Sequence, residues 1–126
     1  MPGVPSLYAG PMAEEFFKDG RLSGTGELLD GERHGRWLFY YRNGQLKADV
    51  GYLRGQLDGD CVWYREDGGL LQKGLFRDGV QDGFWQRWHS TGHLMDEGHF
   101  ALGRKVGEWV TFAADGSETK RRNHRT

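Results

Sequence analysis

The sequence predicts an all-β fold built as a run of β-hairpins, and two observations carry that reading. Glycine supplies 21 of the 126 residues and aromatics 13%, against three prolines, a balance that favours tight turns between aromatic-rich strands over helix or disorder. The chain also repeats itself every twenty-four residues. Gly35, Gly59, Gly83 and Gly107 keep that interval, as do Gly31, Gly55, Gly79 and Gly103, and at a third phase Gly20, Gly44, Gly68, Gly92 and Gly116. A fixed period of this length is the mark of a repeat architecture in which each unit contacts mainly its neighbours.

Side chains follow the same columns. Trp37, Cys61, Trp85 and Trp109 form one; Phe16, Tyr40, Tyr64, Trp88 and Phe112 a second; Leu22, Leu46, Leu70 and Leu94 a third; Leu28, Tyr52, Phe76 and Phe100 a fourth. A unit of twenty-four residues holds two strands of ordinary length and two turns. Asn43-Gly44, Asp67-Gly68, Thr91-Gly92 and Asp115-Gly116 mark the first turn, with the polar residue closing a type I turn and glycine taking the left-handed position after it. The G-x-x-x-G segment, such as "GQLDG" at 55–59, marks the second, its two glycines freeing the chain to reverse at both ends of the loop.

Two registers are open. With a three-residue loop, Arg42-Asn43-Gly44, Tyr40 lies opposite Leu46, and Leu38, Tyr40, Leu46, Val50 and Tyr52 share one face. Trp37, Phe39, Lys47, Asp49 and Gly51 then share the other. A two-residue loop on Asn43-Gly44 instead moves Leu46 to the face of Trp37 and Phe39 and sets Trp37 opposite Val50. The first is preferred because it keeps the Tyr40 and Leu46 columns together; the second gives tryptophan a glycine neighbour in later units, a known way of covering strand glycine.

At this point "GRWLFYYRNGQL", Gly35 to Leu46, resembles the MORN repeat, specifically its shorter bacterial variant with the pattern G-x-W-x-x-Y-x-x-N-G-x-L. The resemblance spans roughly residues 12–117, and departs from the pattern at Cys61 in the tryptophan column and at Val50 in a glycine column. It implies an elongated single-layer antiparallel meander of twenty-four-residue hairpin units acting mainly as an interaction scaffold. Bacterial variants are often described as antitoxins or immunity partners of secreted toxins, and some MORN proteins are linked to phospholipids. The domain reading is a leader at 1–11, a repeat domain at 12–117 and a solvated basic tail at 118–126, within a single small domain.

Chemistry is sparse. His89 and His93 make H-x-x-x-H, but the spacing straddles the turn glycine Gly92, so the pair flanks a turn instead of sharing a helix face. Asp19, Asp67 and Asp115 precede turn glycines, where aspartate bonds its own backbone. Cys61, the one cysteine, sits between Val62 and Trp63 as a small packing residue with no adjacent histidine to activate it. No catalytic residue, cofactor or metal is expected, and the chain is expected not to be an enzyme. The lone cysteine and the lack of an export signal suggest the cytoplasm.

The aromatics carry the site expectation. Trp37, Phe39, Trp63, Trp85 and Trp109 would form a stripe on the second face, and an exposed aromatic stripe is a contact surface. The expected partner is a protein, a toxin in the most concrete version, with homodimer contact through a sheet edge or the aromatic face as a further expectation. A formal charge of −1 offers no general attraction to nucleic acid or anionic lipid, so neither nucleic acid nor membrane is expected as the partner.

Overall fold

The computed structural model describes residues 12–125; the segment 1–11, read above as a leader, lies outside the described residues. Eleven strands form one open antiparallel sheet: β1 (Met12–Phe16), β2 (Leu22–Leu29), β3 (Glu32–Tyr40), β4 (Leu46–Leu53), β5 (Gln56–Leu57), β6 (Gly59–Tyr64), β7 (Leu70–Arg77), β8 (Val80–Trp88), β9 (Leu94–Ala101), β10 (Arg104–Phe112) and β11 (Glu118–His124). Each strand pairs with the next in sequence, except that the short β5 pairs only with β4, which then pairs with β6. The single-layer meander of hairpins is therefore the observed architecture.

The first turn follows its local chemistry. Gly44 N–H donates to Tyr41 C=O at 2.9 Å and Tyr41 N–H to Gln45 C=O at 2.9 Å, while Gly44 sits at φ +88°. That is a three-residue loop closed by a left-handed glycine, where a Cβ would be penalised. Asn43 Oδ1 accepts from Gln45 N–H, and Asp19, Asp67 and Asp115 accept in the same way from the residue two ahead, so these carboxylates are turn residues.

The second turn corrects the expectation. The chain reverses on two residues alone, Asp30-Gly31, Arg54-Gly55, Asp78-Gly79 and Leu102-Gly103, all at positive φ, as the tightest right-twisting hairpins require. The later glycine of each G-x-x-x-G segment stands inside or at the start of the following strand, also at positive φ. At Gly35, Gly83 and Gly107 it marks an irregularity in the ladder to the preceding strand.

The face assignment is corrected as well. Tyr40 does pair with Leu46, as the three-residue loop demands, but Phe39 then pairs with Ala48 and Trp37 with Val50, because the ladder shifts between Phe39 and Tyr40. Lys47 is the unpaired extra residue of a β-bulge. The same shift follows Glu15, Trp63, Arg87 and Thr111. One inserted residue flips everything beyond it to the other face, so Val50 and Tyr52 join Trp37 and Phe39 instead of Leu38 and Tyr40.

That joined surface, the tryptophan face, holds the core: Trp37, Ala48, Val50 and Cys61 are buried together, with Leu28, Phe39, Tyr52, Leu57, Trp63 and Phe76 packed against them. Adjacent units are also stapled at their loops. Tyr41 Oη donates to Tyr64 C=O, an Arg65 guanidinium N–H to Trp88 C=O and His89 Nε2 to Phe112 C=O, at 2.7, 2.8 and 2.8 Å. Ala113 occupies this column in the last unit, and its methyl side chain has no donor.

The basic tail is a further correction. Residues 118–124 form β11, paired with β10 from Phe112↔Glu118 to Gly107↔His124. It reads as a tail because strand alternation among charged residues resembles a solvated segment, yet backbone pairing to an open edge needs no apolar side chain.

Candidate interaction face

The five aromatics singled out from the sequence do share one face, but most of that stripe is core and not exposed. Trp37 is 0% exposed, Trp85 2% and Trp109 6%; Phe39 and Trp63 are half-buried. The cause is the bulge, which turns the tryptophans toward the apolar residues of the neighbouring strand. Each tryptophan lies over a strand glycine: a Cβ added to Gly26, Gly74 or Gly98 would collide with the ring of Trp37, Trp85 or Trp109. The indole N–H groups are spent on backbone carbonyls of Glu27, Leu75 and His99 at 2.8, 3.0 and 3.0 Å.

Val50 and Cys61, the two departures from the repeat pattern, are one compensated exchange. Where other joints between units set glycine beside tryptophan, as Gly26↔Trp37 does, this joint sets a larger residue beside a smaller one, and both are buried in the same cluster. Burial raises the Cys61 thiol pKa above its usual range, which disfavours the reactive thiolate.

The aromatic rings run on as a contact series. Trp63 and Trp85 stack at 6.1 Å, Trp85 meets Phe100 edge-on at 5.9 Å and Phe100 meets Trp109 at 5.1 Å. Between Trp85 and Trp109 the face opens into a cleft of about 230 Å³ lined also by Gln72, Gln81, Arg87, Asp96, Phe100 and Lys105. A smaller hollow of about 100 Å³ adjoins it between Lys105, Trp109, Thr111, Lys120, Arg122 and His124.

Charge in this region is sorted by strand alternation. Arg87 grips the buried Asp96 with two bonds of 3.0 and 2.6 Å, and the bond to Asp96 raises the arginine's pKa. On β11, Arg121 points to the opposite face, where Glu108 and Glu118 bind it at 2.7 and 2.8 Å. Lys120 and Arg122 point to the tryptophan face beside Lys105, whose ammonium lies 4.5 Å from the Trp109 ring centroid. Among the described residues these three cations make no salt bridge. His124 feels them: loss of hydration first, then the charges of Arg122, Lys105 and Lys120, lowers its pKa.

From the sequence, Lys120 and Arg122 count only as part of a basic tail, and Lys105, Gln72 and Gln81 are not singled out, because which face each strand residue takes depends on the register. The signal was present in the columns: Gly24, Ala48, Gln72, Asp96 and Lys120 occupy one phase of the period, and Arg33, Leu57, Gln81 and Lys105 another. His89 and His93 close a turn, with backbone bonds His89 N–H to His93 C=O and Gly92 N–H to His89 C=O. Among the described residues no three His, Cys, Asp or Glu side chains gather as a metal site would require.

No curated protein matches the chain significantly. Residues 33–53 match the MORN repeat variant family. That match covers most of one twenty-four-residue unit, and the unit's turns, bulges and tryptophan contacts recur along the described sheet, so residues 33–53 are similar to a MORN repeat variant and the neighbouring units share their geometry.

Proposed function

We propose that the protein is a non-enzymatic protein-binding scaffold that holds an acidic segment of a protein partner in the cleft between Trp85 and Trp109 and the cationic hollow that adjoins it. The single observation that supports this reading is the set of three cations free of carboxylates, Lys105, Lys120 and Arg122, facing a hollow beside an aromatic ring. A partner's carboxylates can take charge-assisted bonds there, while the rims of Trp85, Phe100 and Trp109 offer apolar contact and Gln72 and Gln81 offer hydrogen bonds. Toxin neutralisation is the concrete version: a bound partner has the covered part of its surface occluded. A protein is favoured over a membrane because the chain's overall charge of −1 gives no general attraction to an anionic lipid surface, whereas a local cationic cleft suits one acidic segment.

Tryptophan fluorescence titration tests this with three probes: a glutamate-rich peptide containing phenylalanine, vesicles containing phosphatidylserine, and single-stranded nucleic acid. The peptide is expected to bind in a salt-sensitive manner. Lys105→Ala with Arg122→Ala should weaken it about tenfold, the loss of roughly two charge-assisted contacts in a partly solvated site. Equal peptide affinity in that variant counts against the cleft, and preferential binding to vesicles favours the phospholipid reading instead.

A further inference from the structure

We propose that the protein associates head to tail with further copies of itself, the edge of β1 that is unpaired among the described residues pairing antiparallel with the corresponding edge of β11 in the next copy. The two outer strands of the described sheet are opposite in charge. β1 presents Glu14 and Glu15, and β11 presents Lys120, Arg121 and Arg122.

The repeat itself supplies the register. Interior joints between units pair Gly24 with Phe39, Ala48 with Trp63, Gln72 with Arg87 and Asp96 with Thr111. Every pair advances by one twenty-four-residue period from the last. The next step brings Lys120 opposite the place that Glu15 of a following copy fills if the repeat continues unbroken. The companion series, Thr25 with Leu38, Asp49 with Val62, Lys73 with Gln86 and Glu97 with Val110, likewise brings Arg121 opposite Glu14. Both pairs are of opposite charge, and directly opposite charges support strand pairing. No interior joint places opposite charges across from each other at both positions; the arrangement arises only where one copy would meet the next.

Face assignments agree. Glu15 lies on the tryptophan face, bound to Arg33 at 2.8 Å, as does Lys120, while Glu14 and Arg121 lie on the other. Met12 and Phe16 on β1 are 64% and 57% exposed, and a strand laid along that edge covers them. Symmetric pairing of β1 with β1 or β11 with β11 would set like charges together, so the edges oppose a two-fold dimer and favour a heterologous contact, which leaves a free edge at each end for further addition or ring closure. The joint is weaker than those inside the chain, because β1 is five residues long and Ala113 cannot supply the loop staple.

Sedimentation velocity on the full chain, from about 10 μM to about 1 mM and at low and high salt, tests the proposal. Species larger than dimers should grow with concentration at low salt and recede by at least about tenfold in association constant at high salt, as expected of partly exposed ion pairs. Glu14→Lys and Arg121→Glu should each be monomeric, whereas an equimolar mixture of the two should associate, since each restores what the other lacks. Among the described residues Glu14 makes no ion pair, and it lies outside the cleft, so this result is independent of peptide binding. Should Arg121→Glu lose its strand circular dichroism, Glu14→Lys alone keeps the test: it should stay monomeric at low salt where the wild-type chain grows, and growth equal to the wild type's overturns the proposal. A wild-type chain monomeric throughout, growth that stops at a dimer, or a mixture no larger than its components overturns the proposal.

Discussion

The two halves of the tryptophan face share one backbone plan and differ in what fills it. Near the N-terminal end the positions between successive tryptophan-column residues are mostly apolar: Phe39 beside Gly24, Trp63 beside Ala48, and the buried Val50–Cys61 exchange, with the Glu15–Arg33 ion pair at the margin. Near the C-terminal end the same columns carry Gln72 beside Arg87, Asp96 beside Thr111, and Lys120. The tryptophan-over-glycine contact recurs in both, at Gly26, Gly74 and Gly98. The contrast teaches that turn, bulge and tryptophan contact suffice to build a unit, which frees the intervening columns to specialise. One half then supplies a dry core, whereas the other supplies a charged cleft at little cost to the fold.

If that is so, attacking the shared contact should hurt most. Gly74→Val drives side-chain carbon into the Trp85 ring, and is expected to destabilise by about 3 kcal/mol in urea unfolding. Gly92→Val, at a turn glycine with φ +93° and no atom within 4 Å of the added Cβ, should cost less, though more than ~1 kcal/mol from backbone strain. The reverse order would mean that the turns, and not the ring contacts, hold the array together.

The exchange at Val50 and Cys61 sharpens the comparison at intermediate scale. Cys61→Trp alone overpacks the dry half and Val50→Gly alone leaves a void, each worth about 2 kcal/mol. Together they recreate the glycine–tryptophan joint, so the double variant should be more stable than the sum of singles by at least about 1 kcal/mol. Strict additivity in the unfolding midpoints would break the compensation argument.

The smallest effect belongs to the charged half. His124 should titrate below the usual histidine value of about 6.5, and NMR titration should show it rising toward that value in high salt or in Lys105→Ala with Lys120→Ala. The sign follows from linkage: a histidine whose pKa is depressed on folding binds its proton more readily when unfolded, so its stabilising effect is complete above the unfolded value and is lost as pH falls through the depressed one. A pKa unmoved by either change would remove the cationic cluster from the argument.

Much of the fold was legible because it is written in local chemistry. Asn43-Gly44 and its equivalents demand a particular turn wherever they occur, and the twenty-four-residue spacing needs only counting. The bulge at Lys47 was not legible, since no residue type announces it. It arises because a three-residue loop sets Tyr40 opposite Leu46 while burial favours Trp37 beside Val50, and one unpaired residue reconciles the two. The cleft was hidden for the same reason: Gln72, Arg87, Asp96 and Lys105 meet only once the register is known.

By itself, then, the sequence determined the period, the position of the first turn and the hairpin as the unit, all consequences of backbone preferences acting over a few residues. Tertiary structure alone decided which face is buried, that residues 118–124 are a strand, and which cations meet beside Trp109. Those outcomes depend on strand parity across the ladder, and a single inserted residue reverses parity without leaving a compositional trace.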